Sequence, residues 1–392
     1  MKLIKKIATS VKSHLGTIKF DRNELSGAFG DIGTDLPLII GMIVAAGLDS
    51  ASVLIMFGVM QLLTGFVYRI PMPVQPLKAM AAIVIAQNLP GNILYGGGLA
   101  IGITMMLLTV TGLIDWLVRV IPKSVIRGIQ FGLGLKLASI ALKNYVPADG
   151  IPGYWLAAIG FVLTIFLLGN RRYPPAIFVI ILGMVYAFSF KLDAVIVVKS
   201  LGFSLPIFYL PTLPDILTGF VVLALPQIPL SLGNSILATR QMTQDLFPDQ
   251  SITVRKISFT YSLINLINPF LSGIPTCHGS GGMAGHYAFG ARTGGSVVIY
   301  GLLYLLLGFF FSGGFGKIIQ VFPLPILGVI LLFEGVTLMN LIRDVSDSKS
   351  DFSIVLLVGL MAGGLPYGFV IGLIVGTLLA YLSRTRLTGL AK

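Results

Sequence analysis

The sequence predicts an all-α polytopic membrane protein, with fourteen transmembrane segments arranged as a seven-plus-seven inverted repeat. Composition is the first reason. The chain of 392 residues is 55% hydrophobic and 11% charged, with a mean hydropathy of +0.93, whereas soluble domains carry roughly 25% charged residues. The second is a succession of apolar stretches long enough to cross, or half cross, about 30 Å of hydrocarbon. The third is an internal match. Pro122–Gly134 (PKSVIRGIQFGLG) resembles Pro323–Gly335 (PLPILGVILLFEG) at an offset of 201 residues. An odd number of spans per repeat places the halves in opposite orientations.

The opening stretch, MKLIKKIATSVKSHLGTIKF, is basic and weakly amphipathic. It lacks the continuous apolar core and cleavage site of a signal peptide, and reads as a cytoplasmic segment at the membrane surface. The apolar segments fall near 26–47, 50–68, 76–88, 94–119, 123–142, 152–169 and 174–190 in the first half. In the second they fall near 213–239, 252–270, 279–289, 294–313, 324–343, 352–364 and 366–383. Basic residues such as Lys5, Arg69, Arg171, Arg172, Arg255, Lys256, Arg292 and Arg386 collect in loops on one side. The positive-inside rule then puts both termini in the cytoplasm of a multi-pass protein of the plasma membrane. The net charge of +12 is a topology signal here and does not indicate nucleic-acid binding.

Two segments, 76–88 and 279–289, are short, and each follows a polar, proline-broken interruption. These are Pro71-Met72-Pro73-Val74-Gln75-Pro76-Leu77-Lys78 and Gly273-Ile274-Pro275-Thr276-Cys277-His278-Gly279-Ser280-Gly281-Gly282. A backbone break in lipid leaves N–H and C=O groups without partners unless it is enclosed by protein or lines a cavity. One such break could be an ordinary kink. Two, at matching places in the two halves, point to a substrate site at the bilayer midplane. Each short helix then begins inside the protein with free N–H groups and a partial positive charge, which together favour an anion.

The candidate site follows from these tips. Backbone N–H groups near Gln75, Pro76 and Leu77 form one side, and those of Gly279, Ser280 and Gly281 the other. Gln75, Gln227, His278 and Ser280 add side-chain donors, with Thr34 and Asn234 as weaker contributors. Lys78, in the first turn of its half-helix, is unfavourable there unless an anion or an acidic side chain compensates it. It is either a charge partner of the substrate or a partner of Asp31 or Asp35. Those two carboxylates, four residues apart in GAFGDIGTDLP, share a helix face. Beside an anion they must be paired or protonated, so they are read as charge partners or as proton-coupling groups. In the second half, LPQIPLSLGNS spaces Gln227, Ser231 and Asn234 as a polar stripe, which lines the cavity or bonds neighbouring helices. Lys136 and Glu334, in the repeat-matched spans, read as a scaffold ion pair.

No nucleophile shares a face with a matching base, because Cys277 and His278 are merely adjacent, so enzyme activity is not expected. A single cysteine excludes an intramolecular disulfide, no spacing suggests a metal site, and no cofactor is expected.

Five strings together resemble the molybdate transporter family, a branch of the sulfate permease superfamily. They are ELSGAFGDIGTDLPL (24–38), PVQPLKAMAA (73–82), LPQIPLSLGNSILA (225–238), QDLFP (244–248) and CHGSGGMAGHYAFGARTGG (277–295). The resemblance implies a core domain from 26–119 and 213–315, and a gate domain from 120–212 and 316–392, after a cytoplasmic segment at 1–25. It implies short strands before the half-helices, elevator-like motion of core against gate, homodimers through the gate, and the branch without a cytosolic C-terminal domain. Some of the superfamily carry a basic residue near the position of Gly281, which shifts charge compensation here onto helix ends and Lys78. The reading is a secondary transporter of a tetrahedral oxyanion, molybdate first, with tungstate as a close analogue and proton coupling as an option. The alternatives are sulfate as substrate, or an anion channel on the same fold.

Overall fold

Every apolar segment picked from the sequence coincides with a helix in a computed structural model, which describes residues 18–114, 116, 120–168, 175–190, 201–315 and 322–384. Lys5, Arg171, Arg172 and Arg386, used above for orientation, lie outside the described residues. In chain order the first half contains α1 (Arg22–Gly27), α2 (Ile32–Ala46), α3 (Ser50–Tyr68), β1 (Val74–Pro76), α4 (Lys78–Gln87) and α5 (Gly91–Thr111). It continues with α6 (Lys123–Ile140), α7 (Gly150–Leu167) and α8 (Pro175–Phe190). The second half contains α9 (Leu213–Leu246), α10 (Val254–Ile267), β2 (Thr276–His278), α11 (Ser280–Ala288) and α12 (Gly295–Phe310). It ends with α13 (Leu324–Asn340), α14 (Lys349–Gly364) and α15 (Gly368–Arg384).

Among the described residues, six helical runs are long and apolar enough to cross a membrane alone: α3, α5, α7, α9, and α6 and α13 with the turns that extend them. The sequence suggests one uninterrupted first span over 26–47, but the chain breaks between α1 and α2. Gly30 sits there against the backbone of Gly285, where a Cβ would collide. Helix α9 keeps Pro226 and Pro229 inside a run of 34 residues. Two π-helical turns, Phe220–Ala224 and Ser231–Leu237, flank the prolines. Such local adjustments are how a membrane helix tolerates a residue without an N–H.

Two packing groups emerge. In one, α3 lies on α12, and α5 on α10 and the first turns of α9. In the other, α6 lies on α13 and α14, and α14 on α15. Glycines set the closest approaches, as small residues do between membrane helices. Gly58 faces Gly301, and Gly134 faces Gly335. The last two lie 201 residues apart, the offset of the internal sequence match, so the matched segments in α6 and α13 touch at corresponding positions.

Candidate functional site

The two interruptions meet as a two-stranded antiparallel ribbon. Val74 pairs with His278, Gln75 with Cys277 and Pro76 with Thr276. The pairing extends to Leu77 N–H on Pro275 O (3.1 Å) and Gly279 N–H on Pro73 O (3.4 Å). So short a ribbon leaves edge groups unpaired, and within a membrane protein they need partners. Side-chain amides supply them. Gln61 of α3 donates to Val74 O (2.7 Å) and accepts from Val74 N–H (3.0 Å). Asn265 of α10 does the same for Thr276, at 2.7 and 3.0 Å. Both amides are fully buried.

Cross-strand partners share a face of the ribbon, so Gln75 and Cys277 project together and Val74 and His278 project oppositely. The Gln75 amide donates to both oxygens of Asp31, at 2.8 and 2.7 Å. Gly279 presses on the Gln75 side chain and Gly282 on the Asp31 carboxylate, leaving neither glycine room for a Cβ. Asp35 is fully buried and takes a hydrogen bond from Tyr300 Oη on Oδ2 (3.2 Å), while its Oδ1 has no hydrogen-bond partner among the described residues. The Lys78 ammonium acts electrostatically on Asp35 and Cys277.

A cavity of about 210 Å³ opens beside the ribbon. It is lined by Gln75, Lys78, Gln227, Asn234, His278, Gly279, Ser280 and Gly281, together with Cys277, Ser235 and, from the second packing group, Gln130, Leu133, Thr337, Leu338 and Leu341. At roughly 30 Å³ per water, that is room for about seven waters. Most of the predicted residues are therefore brought together. Pro76, Leu77 and Thr34 are outside the lining.

The two helix tips differ. Gln227 Oε1 accepts from Ala79 N–H (3.0 Å) and Met80 N–H (3.2 Å), so it caps α4. Its Nε2 donates to Ser231 Oγ (3.1 Å), which in turn meets Tyr261 Oη (2.8 Å). At α11 the N-cap residue is Gly279, which has no side chain, the Asp31 carboxylate lies against Gly282, and Gly281 is exposed, with nothing within 4 Å of an added Cβ. The His278 ring joins Thr260 Oγ1 through Nε2 (2.7 Å) and packs edge-on against Tyr68. Lys136 rests over the Phe369 ring, 5.8 Å from its centroid, while the side chain of Glu334 lies outside the described residues.

A protein-family model described as "Molybdate transporter of MFS superfamily" matches residues 23–137 and 219–338. The chain belongs to the molybdate transporter family. Molybdate transporter 2 of Arabidopsis thaliana is 33% identical over 378 residues, covering 84% of this chain and 81% of the relative. Molybdate transporter 1 of Chlamydomonas reinhardtii is 26% identical, covering 90% of each chain. In fold, the chain is similar to the transmembrane domain of the cyanobacterial bicarbonate transporter BicA, with a TM-score of 0.68 at 16% identity, covering 92% of this chain and 97% of that one. It is also similar to murine Slc26a9, an anion transporter captured in the inward-facing state, with a TM-score of 0.70 at 14% identity, covering 96% of this chain and 71% of that one. The protein is thus a multi-pass membrane transporter of the secondary type, not an enzyme.

Sequence reasoning missed several residues that brace the ribbon and the helices around it. Gln61 and Asn265 clamp the ribbon, and an amide inside a long apolar segment was the available signal. Glu24 is buried and accepts from the N–H groups of Arg292 (2.9 Å), Thr293 (2.8 Å) and Ser296 (2.9 Å), capping α12 from 272 residues away. Nothing local to Glu24 announces that partner.

Proposed function

We propose that the transported oxyanion is molybdate, bound in this cavity between the glycine-rich tip of α11 and Lys78 of α4. The exposed, glycine-rich tip carries the reading. Its N–H groups near Gly279–Gly281 and the Ser280 hydroxyl suit oxyanion oxygens, and glycine lets the anion approach the backbone closely. A helix end offers about half an elementary charge. Lys78 adds a positive charge, which the buried carboxyl groups of Asp31 and Asp35 offset unless they are protonated.

The two packing groups support a core of 26–119 with 213–315 moving against a gate of 120–212 with 316–392, as seven-plus-seven inverted repeats in an elevator-type cycle. Exposed Gly281 and Thr337 mark the open side of the cavity. With the orientation drawn from the basic loops, that side is cytoplasmic. Homodimers would form through the gate. The burial of two carboxyl groups four residues apart, Asp31 and Asp35, supports proton coupling, because burial and a neighbouring like charge both favour the protonated form. Uptake into liposomes should then respond to an imposed pH gradient, and Asp35→Asn should abolish that response.

Calorimetric titration of the purified transporter with molybdate, tungstate and sulfate tests the assignment, with Gln75→Ala and Ser280→Ala alongside. Molybdate and tungstate should bind more tightly than sulfate, and both variants should bind weakly. Tighter sulfate binding makes sulfate the substrate. Equal affinities in all three proteins remove the site.

A further inference from the structure

Gln130 of α6 lines the cavity from the second packing group, across from the half-helices. Its side chain is fully buried. Arg127 Nη1 donates to Gln130 Oε1 at 2.8 Å. A guanidinium only donates, so the amide oxygen must face Arg127 and the amide nitrogen must face away from it. Arg127 is itself fixed. Its Nε donates to Asp344 Oδ1 at 2.9 Å, a second guanidinium nitrogen reaches Oδ2, and Lys123 holds the same carboxylate at 2.8 Å. The orientation of the Gln130 amide is thus set by a chain of charged groups. Its nitrogen has no acceptor among the described residues. A buried donor without an acceptor is rare, and a missing ligand is one explanation for it.

The fold does not ask for an amide at this position. At the 201-residue offset, Gln130 matches Leu331 and Arg127 matches Gly328, on a helix packed directly against α6. The helix pair is therefore built with the polar arrangement in one repeat only.

We infer that Gln130 is a substrate contact from the gate side, donating through Nε2 to an oxyanion oxygen, and that Arg127 and Asp344 position it. The inference rests on reading this cavity as the oxyanion site. If the core moves past the gate, this contact exists only at one end of the movement, so it makes affinity depend on the transporter's state.

Gln130→Glu is the decisive variant. It keeps an acceptor for Arg127, so a purely structural role predicts that it is tolerated better than Gln130→Leu. A substrate contact predicts the reverse, because Glu turns an acceptor toward an anion. Molybdate affinity should fall about ten- to a hundredfold in Gln130→Leu, the effect of losing a hydrogen bond to a charged group, and further in Gln130→Glu, while Gln130→Glu keeps the wild-type thermal midpoint without ligand. Unchanged affinity in Gln130→Glu overturns the inference, as does a larger loss in Gln130→Leu than in Gln130→Glu. If Gln130→Leu does not fold, Gln130→Glu decides alone. Ser280→Ala separates this failure from that of the site. Weakened binding there beside unchanged binding in Gln130→Glu removes Gln130 only, and unchanged binding in both removes the cavity as the site.

Discussion

The half-helices α4 and α11 come from the two halves of the chain and meet across the ribbon, yet their tips are built differently. Both follow a three-residue strand, and both strands are clamped by a buried amide, Gln61 on one side and Asn265 on the other. At α4 the first N–H groups are already taken by Gln227. At α11 the N-cap is itself a glycine, and Gly281 faces open space. A helix end is an anion site only while its donors are free. The repeat thus supplies two scaffolds. On our reading, substitution has made one a braced platform carrying a lysine and left the other as the receiving end.

Five substitutions test this division, beginning with the largest effect. Gly282→Ala drives a methyl group into Asp31 and Pro73, whereas Gly281→Ala points one into open space. The first should abolish molybdate uptake with a loss of stability of about 1–3 kcal/mol, and the second should leave stability within about 0.5 kcal/mol. Thermal unfolding in detergent with parallel uptake assays separates them, and equal behaviour would break the comparison. Lys78→Met comes next. Among the described residues it removes the one full positive charge lining the cavity, and molybdate affinity measured by calorimetry should fall about ten- to a hundredfold.

Ser280→Ala removes one neutral donor at the open tip, with an expected loss of about three- to tenfold in the same titration. Gln227→Leu is the sharpest contrast with it. Uncapping α4 should lower stability by about 1–3 kcal/mol, read in thermal unfolding, with affinity within about twofold of wild type. A larger affinity loss in Gln227→Leu than in Ser280→Ala would mean that the capped tip, not the open one, meets the anion.

The same contrast marks the limit of what could be read in advance. That Gln75, Lys78, His278 and Ser280 gather at one place follows from two breaks in register, and the structure gathers them around one cavity. That the Gln75 amide turns to Asp31, and that Gln227 serves a helix 147 or more residues away, could not be read. An amide's spacing reports the face it lies on and says nothing of which of many donors and acceptors it meets across the fold. His278 shows the same gap. It lines the cavity, yet strand alternation turns its ring to Thr260 and Tyr68.

By itself, the sequence determined the membrane class, the helical segments, the two interruptions and the family, because lipid forces apolar runs and makes each polar break conspicuous. The tertiary structure decided which amides brace the ribbon, which helix tip stays open, and which way the Gln130 amide points. Those outcomes depend on hydrogen bonds between residues far apart in the chain. Their partners are set by the geometry of packing, to which local pattern is blind.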